Sequence, residues 1–568
     1  MREPVVFRDL PRLFETEKDY APERTPVAGG LVAAVDLIAS FLRYGGSEYY
    51  YVLVPATHVP ACRERLDAYP NGERVVFVSL DAWATLSREP RLVLFSHWSR
   101  VFDGAHMRNC VGHPQWVASA VTHSLSFHMS LAYSHFAILQ QLYAHDSFVC
   151  TSVAAQIAVR KLLETAAEGL SLNGHKIAVP SFQLPVIPLG VDPERFQPRD
   201  RLKARRALGI AAKATVFLYL GRFSSTWKID LNPLLIAFKE AFSATSDDIV
   251  LVLAGDDTTE KCEKQLRSFA ADLRIGSRVK IFANPTSSKK QDLFAAADVF
   301  TSLSDNPQET FGLTILEAMA SGLPVVASDW SGYRDMVVHG ETGYLIPTYW
   351  ADCTDAISQL TMMRGDEDTH WLLAQSVIVD LAATVSAFRA LAGQPERRRE
   401  LGSNGRARVL QRFSWQSVVG QYEELWSHSL QTAAASAPAS VNSPYGVNAY
   451  RYFDAFQHFA SRLIDRETTC GITASGLTCV EAGRLPKPLE HDRADLRRSI
   501  LLALLARLRQ RNHMALEDLL TQTCAELAMP NEVVLRHLLR LLKYGLASVE
   551  PEGRRLDPDL TAEALVRD

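Results

Sequence analysis

The chain carries little that would mark it for a membrane, a metal or a nucleic acid. No run is long enough and apolar enough to span a bilayer. No N-terminal stretch has the charged-then-apolar form of a signal peptide, since Met1-Arg2-Glu3-Pro4 leads into mixed polar sequence. The eight cysteines are scattered without a C-x-x-C pair, which argues against zinc ribbons and a disulfide framework and makes a reducing, cytoplasmic location the expectation. Charge of one sign is also scarce. Sixty Lys and Arg against 64 Asp and Glu leave a net charge of −4, too small to imply a polyanion-binding field.

What is present is length and alternation. At 568 residues and 47% hydrophobic, the chain has material for roughly three or four domains. Residues 1 to about 190 alternate short apolar runs (Tyr50–Val54, Val75–Val78, Leu92–Phe95, Trp116–Ala120, Ser147–Cys150) with longer segments of helical spacing, such as Leu31 to Tyr44. Residues 215 to about 348 repeat the pattern with Val216–Leu220, Ile249–Ala254, Val279–Phe282, Val299–Leu303 and Val325–Ala327. Such alternation predicts parallel sheets covered on both faces. Gly221, Gly255 and Asp305 each follow a predicted strand, where ligand loops of open α/β sheets lie. Residues 351–400 read as helical insertion. A small-residue linker at 431–446 leads to three amphipathic helices at Ser499–Leu508, Leu516–Leu527 and Asn531–Leu542. A short strand near Val549 then suggests a winged-helix-like module.

The most informative stretch is Glu309-Thr310-Phe311-Gly312-Leu313-Thr314-Ile315-Leu316-Glu317. Its two glutamates stand eight positions apart, a little over two helical turns, so residues at that spacing project from nearly one face. A helix starting near Gly312 would turn free N–H groups towards Glu309. Such an N-terminus suits an anion, and a carboxylate beside it grips hydroxyls. Phosphate plus polyol describes a sugar nucleotide.

With Gly322-Leu323-Pro324-Val325-Val326-Ala327-Ser328 and Gly340-Glu341-Thr342-Gly343 following, and Leu220-Gly221-Arg222 with Lys228 upstream, the sequence resembles the retaining glycosyltransferases of the GT-B fold, the glycosyltransferase family 4 type with its E-x7-E motif. Val186 to Phe196 looks like that family's interdomain segment. The resemblance implies an α/β GT-B architecture of two doubly wound Rossmann-like domains facing across a cleft. The acceptor-side domain would span 1–190, the donor-binding domain 191–400, and a crossing-back helix 401–430. After the linker, 447–568 would be a mainly α appended domain.

The same resemblance implies a hexosyltransferase-like enzyme. It would move sugar from a nucleoside diphosphate sugar to a hydroxyl or amine acceptor, with retention, and with that donor as co-substrate rather than any cofactor. Arg222 and Lys228 would meet the departing diphosphate, Glu309 the sugar hydroxyls, and Glu317 the ribose. Backbone N–H groups of Phe311, Gly312, Leu313 and Thr314 would lie near sugar and phosphates. Gly30 would belong to a glycine loop, Gly221 to the phosphate clamp, and His123, with His97 as a second candidate, to a pocket hydrogen bond. The arginine-to-lysine separation is six residues where the family commonly has five. Asp256-Asp257 lacks the D-x-D spacing, so no metal is expected.

Two other classes compete with the enzyme: a sugar-nucleotide-binding pseudoenzyme, and a ligand-sensing regulator with a DNA- or protein-binding tail. Arg507, Arg509, Arg511, Arg536, Arg540 and Lys543 could meet phosphates, but acidic residues are similarly numerous there. The expected partner of 447–568 is a protein or a second copy, not DNA.

Overall fold

Short runs of apolar and β-branched residues become the strands of two six-stranded parallel sheets. A computed structural model of the chain describes residues 4–7, 29–54, 59–66, 69–79, 85–86, 88–97, 99–111, 113–139, 142–172, 174, 177–245, 247–435, 453, 456–490, 496–529 and 531–550. Most of the expected linker, from 436 onward, lies outside the described residues. By contacts the chain divides into two units. One gathers Met1–Gln197, Thr310–Ala320 and Arg406–Ala449. The other gathers Pro198–Glu309, Ser321–Gly405 and Tyr450–Asp568.

The sheet of the first unit contains β1 (Val5–Phe7), β2 (Tyr50–Val54), β3 (Val75–Ser79), β4 (Val93–Ser96), β5 (Val117–Val121) and β6 (Ser147–Val149), ordered β3-β2-β1-β4-β5-β6. The central strand β1 has no counterpart in the sequence reading. Its three residues are too short a run to separate from a loop; they are strand because Val5 pairs with both Tyr50 and Val93. The helix Trp415–Ala435 completes this unit. Trp426, fully buried, stacks on Phe41 at 5.1 Å, meets Phe95 at 5.3 Å, and donates its indole N–H to Ser119 Oγ at 3.0 Å. Gly190 is glycine by necessity, since a Cβ there would stand 2.5 Å from the Trp415 ring.

The second sheet contains β7 (Thr215–Leu220), β8 (Ile249–Gly255), β9 (Val279–Ala283), β10 (Val299–Ser302), β11 (Val325–Ser328) and β12 (Gly343–Ile346), ordered β12-β11-β10-β7-β8-β9. Counted within its own unit, this is the order of the first sheet, the doubly wound arrangement. The sequence reading names no strand at Gly343-Tyr344-Leu345-Ile346. This run is the edge strand β12, parallel to β11, with its middle half-buried.

The expected helical insertion is there as Asp355–Ala374 and Leu381–Gly393. The three expected C-terminal helices are Arg498–Arg511, Leu516–Leu527 and Asn531–Lys543, with an antiparallel sheet in which Thr469–Ile472 lies between His513–Ala515 and Ala547–Val549. The sequence reading sets this region apart as an appended module. In the structure its leucines, among them Leu504, Leu538 and Leu546, belong to one hydrophobic cluster with Phe217, Leu381 and Phe388 of the second unit. Some of the cations considered for DNA have partners within the chain instead. Arg540, 5% exposed, lies over the Trp371 ring at 4.9 Å, and Arg507 binds Gln522 and Glu526. Among the described residues no helix is long and apolar enough to cross a membrane.

Candidate active site

In a doubly wound sheet the crevice for ligands opens beyond the carboxyl ends of the two strands where the order reverses. In the second unit these are β7 and β10, and their following loops carry Gly221, Arg222 and Lys228 on one side, Asp305, Asn306 and Glu309 on the other. Close approach dictates the glycines. A Cβ on Gly221 would stand 2.6 Å from Tyr219 Oη, and one on Gly255 would stand 1.5 Å from the Gly221 carbonyl oxygen.

The β7 loop is held from below. Tyr219 Oη donates to the Arg222 carbonyl at 2.9 Å. The Glu260 carboxylate accepts from the hydroxyl of Ser224 and from the N–H groups of Ser225 (3.1 Å) and Thr226 (3.4 Å). Trp227 packs on His370 with ring centres 4.8 Å apart. These contacts fix the loop between Arg222 and Lys228. The lysine still reaches the site, where its ammonium pairs with the Glu309 carboxylate. Glu309 Oε2 also accepts from Tyr333 Oη at 3.4 Å, and Tyr333 Oη lies 2.8 Å from Ser302 Oγ. Burial pushes the phenols of Tyr219 and Tyr333 well above the ordinary tyrosine range, so both remain protonated donors. Burial also lowers Arg222, while the Glu309 charge opposes that shift; the guanidinium stays cationic.

The β10 loop is tied to its neighbour. Asn306 Nδ2 donates to the Thr226 carbonyl. The Asn306 carbonyl accepts from Glu309 N and from the Trp330 indole, both at 3.1 Å. Glu309 therefore sits in a turn before the helix Leu313–Ala320, not on it, so the shared-face geometry expected from the eight-residue spacing does not apply. The chain passes from the second unit to the first between Glu309 and Thr310.

Phe311, Gly312, Leu313, Thr314 and Glu317 belong to the first unit with His123 and Gly30. Ser152 Oγ donates to the Thr310 carbonyl at 2.8 Å, and Thr310 Oγ1 donates to the His123 carbonyl at 3.0 Å. Gly312 adopts φ +117, a conformation open to glycine, as it turns the chain into the helix. Glu317 is 6% exposed there. Gly29 and Gly30 form the first turn of the helix Gly29–Tyr44 rather than a loop before it.

His123 donates from Nε2 to the carbonyl of the buried His97, and burial pushes the ring down to about 4 from its usual 6.5. It is therefore neutral at physiological pH. Its imidazole proton shifts should stay constant between about pH 5.5 and 8 in an NMR titration; a midpoint near its usual value would contradict this environment. Because folding favours the neutral ring, the stability linked to His123 is complete above 6.5 and declines as pH falls towards 4.

Asp256 and Asp257 serve turns. Asp256 accepts from Thr258 N at 3.0 Å, and Asp257 from Glu263 N at 3.0 Å. Asn284, after β9, is left-handed at φ +51; its N–H bonds the Gly255 carbonyl at 2.7 Å and its Oδ1 accepts from Asp257 N at 2.9 Å. Sequence reasoning assigned no role to Tyr333 or Asp230, and placed Asp305 in a ligand loop without giving it a partner. Tyr333 stands in the Ser331-Gly332-Tyr333 run after a strand, which was signal enough. Asp230 reads as an ordinary helix cap, and it does cap Asn232 N at 2.9 Å.

Residues 200–371 match the family described as Glycosyl transferases group 1. Among curated relatives, the D-inositol 3-phosphate glycosyltransferase of Geodermatophilus obscurus is 31% identical over 292 residues, covering 50% of this chain and 56% of the relative. The N-acetyl-alpha-D-glucosaminyl L-malate synthase of Bacillus anthracis is 25% identical, covering 44% and 55%. The chain thus spans about half the length of the curated relatives it matches. Among solved structures, Anabaena HepE in complex with UDP aligns with a TM-score of 0.50 at 17% identity, over 75% of this chain and 100% of that one. The two six-stranded parallel sheets, each flanked by helices, are those of the GT-B fold.

Proposed function

We propose that this chain is a metal-independent glycosyltransferase acting in the cytoplasm. It moves a sugar from a nucleoside diphosphate sugar to a hydroxyl or amine acceptor with retention of configuration. The observation that supports this best is the pairing of Lys228 with Glu309 beside Arg222 at the strand-order reversal of the second sheet, inside the segment that matches the glycosyltransferase family.

A diphosphate leaving group needs fixed positive charge where its own charge grows. Arg222 and Lys228 supply two cations for it. Binding would draw the Lys228 ammonium from Glu309 to phosphate and leave that carboxylate to accept hydrogen bonds from sugar hydroxyls. Tyr333, already bonded to Glu309, keeps the carboxylate oriented during this exchange. In the first unit, the neutral His123 is suited to hydrogen-bond a hydroxyl rather than to carry charge. The N–H groups of Phe311 to Thr314 and the Glu317 carboxylate are assigned to phosphate and ribose.

Thermal-shift titration with UDP, GDP, ADP and dTDP, each with and without its common sugars, tests this reading. One nucleotide should stabilise the protein, and Glu317→Ala should weaken that binding at least about tenfold while leaving the unliganded melt close to wild type. No stabilisation by any of the four sinks the proposal.

A further inference from the structure

The C-terminal helix Asn531–Lys543 ends inside the second unit rather than at its surface. Lys543 is 1% exposed. Its ammonium pairs with Asp305 and donates to the Ala374 carbonyl at 2.9 Å. The next residue, Tyr544, donates its phenol to Asp230 Oδ2 at 2.8 Å. Asp230 and Asp305 are themselves buried, and Asp305 Oδ1 accepts from Asp230 N at 3.4 Å.

These two carboxylates occupy telling positions. Asp230 lies two residues beyond Lys228, and Asp305 lies four residues before Glu309. Ser304 Oγ, beside Asp305, donates to the Lys228 carbonyl at 3.3 Å. The tip of one helix therefore holds the bases of both loops that bring Lys228 and Glu309 together. Two buried carboxylates so close repel each other, and a buried charge without a partner is strongly unfavourable. Lys543 and Tyr544 offset both effects from a part of the chain more than two hundred residues away.

We propose that Lys543, assisted by Tyr544, is a positioning residue of the donor site: the C-terminal region sets the spacing of the Lys228 and Glu309 loops and so belongs to the catalytic unit. This rests on the glycosyltransferase reading above. It gives residues 456–550 an internal task where the sequence suggested a partner-binding one.

The test uses the full-length chain with the nucleotide that stabilises wild type. Lys543→Met leaves Asp305 without its cation, so the β10 loop should shift and donor affinity should fall at least about tenfold, because small misplacements of binding groups cost that much or more. Asp305→Asn combined with Lys543→Met removes both charges and should restore affinity to within about threefold of wild type. Tyr544→Phe keeps the ring and should weaken donor binding by about threefold or more, with a melting temperature close to wild type. In turnover, the loss should fall on the donor KM and kcat, with the acceptor KM unchanged.

If Lys543→Met folds and binds donor as wild type does, the inference is overturned. If Lys543→Met does not fold, the other two variants decide. Rescue by the double variant with weakened binding in Tyr544→Phe supports a positioning role, whereas wild-type affinity in Tyr544→Phe reduces the contact to a scaffold and overturns it. A wild-type protein that binds no nucleotide overturns the transferase reading itself; wild-type binding alongside unaffected variants overturns this inference alone.

Discussion

Arg222→Ala is expected to lower kcat by roughly 10²-fold or more, with a much smaller change in donor KM. The reason lies in where the cation sits. It follows β7 directly, its carbonyl is fixed by Tyr219, and burial already disfavours its charge, so its field acts in a partly desolvated loop. A charge held in place before the reaction stabilises the departing diphosphate more than the intact donor, and such a difference appears in turnover. Arg222→Lys should recover only part of the loss, because the planar fork that engages two phosphate oxygens is gone. Steady-state kinetics with the donor found by thermal shift checks both variants. A fall of less than about threefold in Arg222→Ala would remove this residue from the chemistry.

The second large effect concerns stability. Trp426→Ala should destabilise the first unit by about 3–5 kcal/mol, the range for emptying a buried aromatic site. Trp426 is fully buried, stacks on Phe41, meets Phe95 and Tyr422, and its indole N–H has Ser119 Oγ as partner. The substitution removes this packing and deprives the Ser119 hydroxyl oxygen of the indole N–H that donates to it. Trp426→Phe should do less harm, since a smaller void remains. Urea unfolding followed by circular dichroism measures the difference. A loss below about 1 kcal/mol would mean that the helix Trp415–Ala435 is not integral to the first unit's core.

Much of the fold was legible because strands of a parallel sheet leave a trace of consecutive apolar residues. β2 through β11 could each be found from such a run, including the partly exposed β3. β1 and β12 could not. One is only three residues long, and the other starts at a glycine and is half-exposed in its middle. Their strand character comes from neighbours distant in sequence. The candidate site divides in the same manner. Gly221, Arg222, Lys228, Glu309 and Glu317 carry their motif locally, as a strand end or a helix start. Tyr333, Asp230 and Asp305 act through partners that no local pattern names.

The sequence by itself determined the strand-and-helix alternation, the places where loops leave the sheets, and the side chains available there, since these depend on nearest neighbours and on the period of apolar residues. Only the tertiary structure decided that Glu309 turns to Lys228 and Tyr333, and that Lys543 lies under Asp305 rather than in solvent. A lysine at the end of an amphipathic helix reads as a solvated cap. Its burial becomes tolerable only when a carboxylate 238 residues away faces it, and that pairing exists only once the chain has folded.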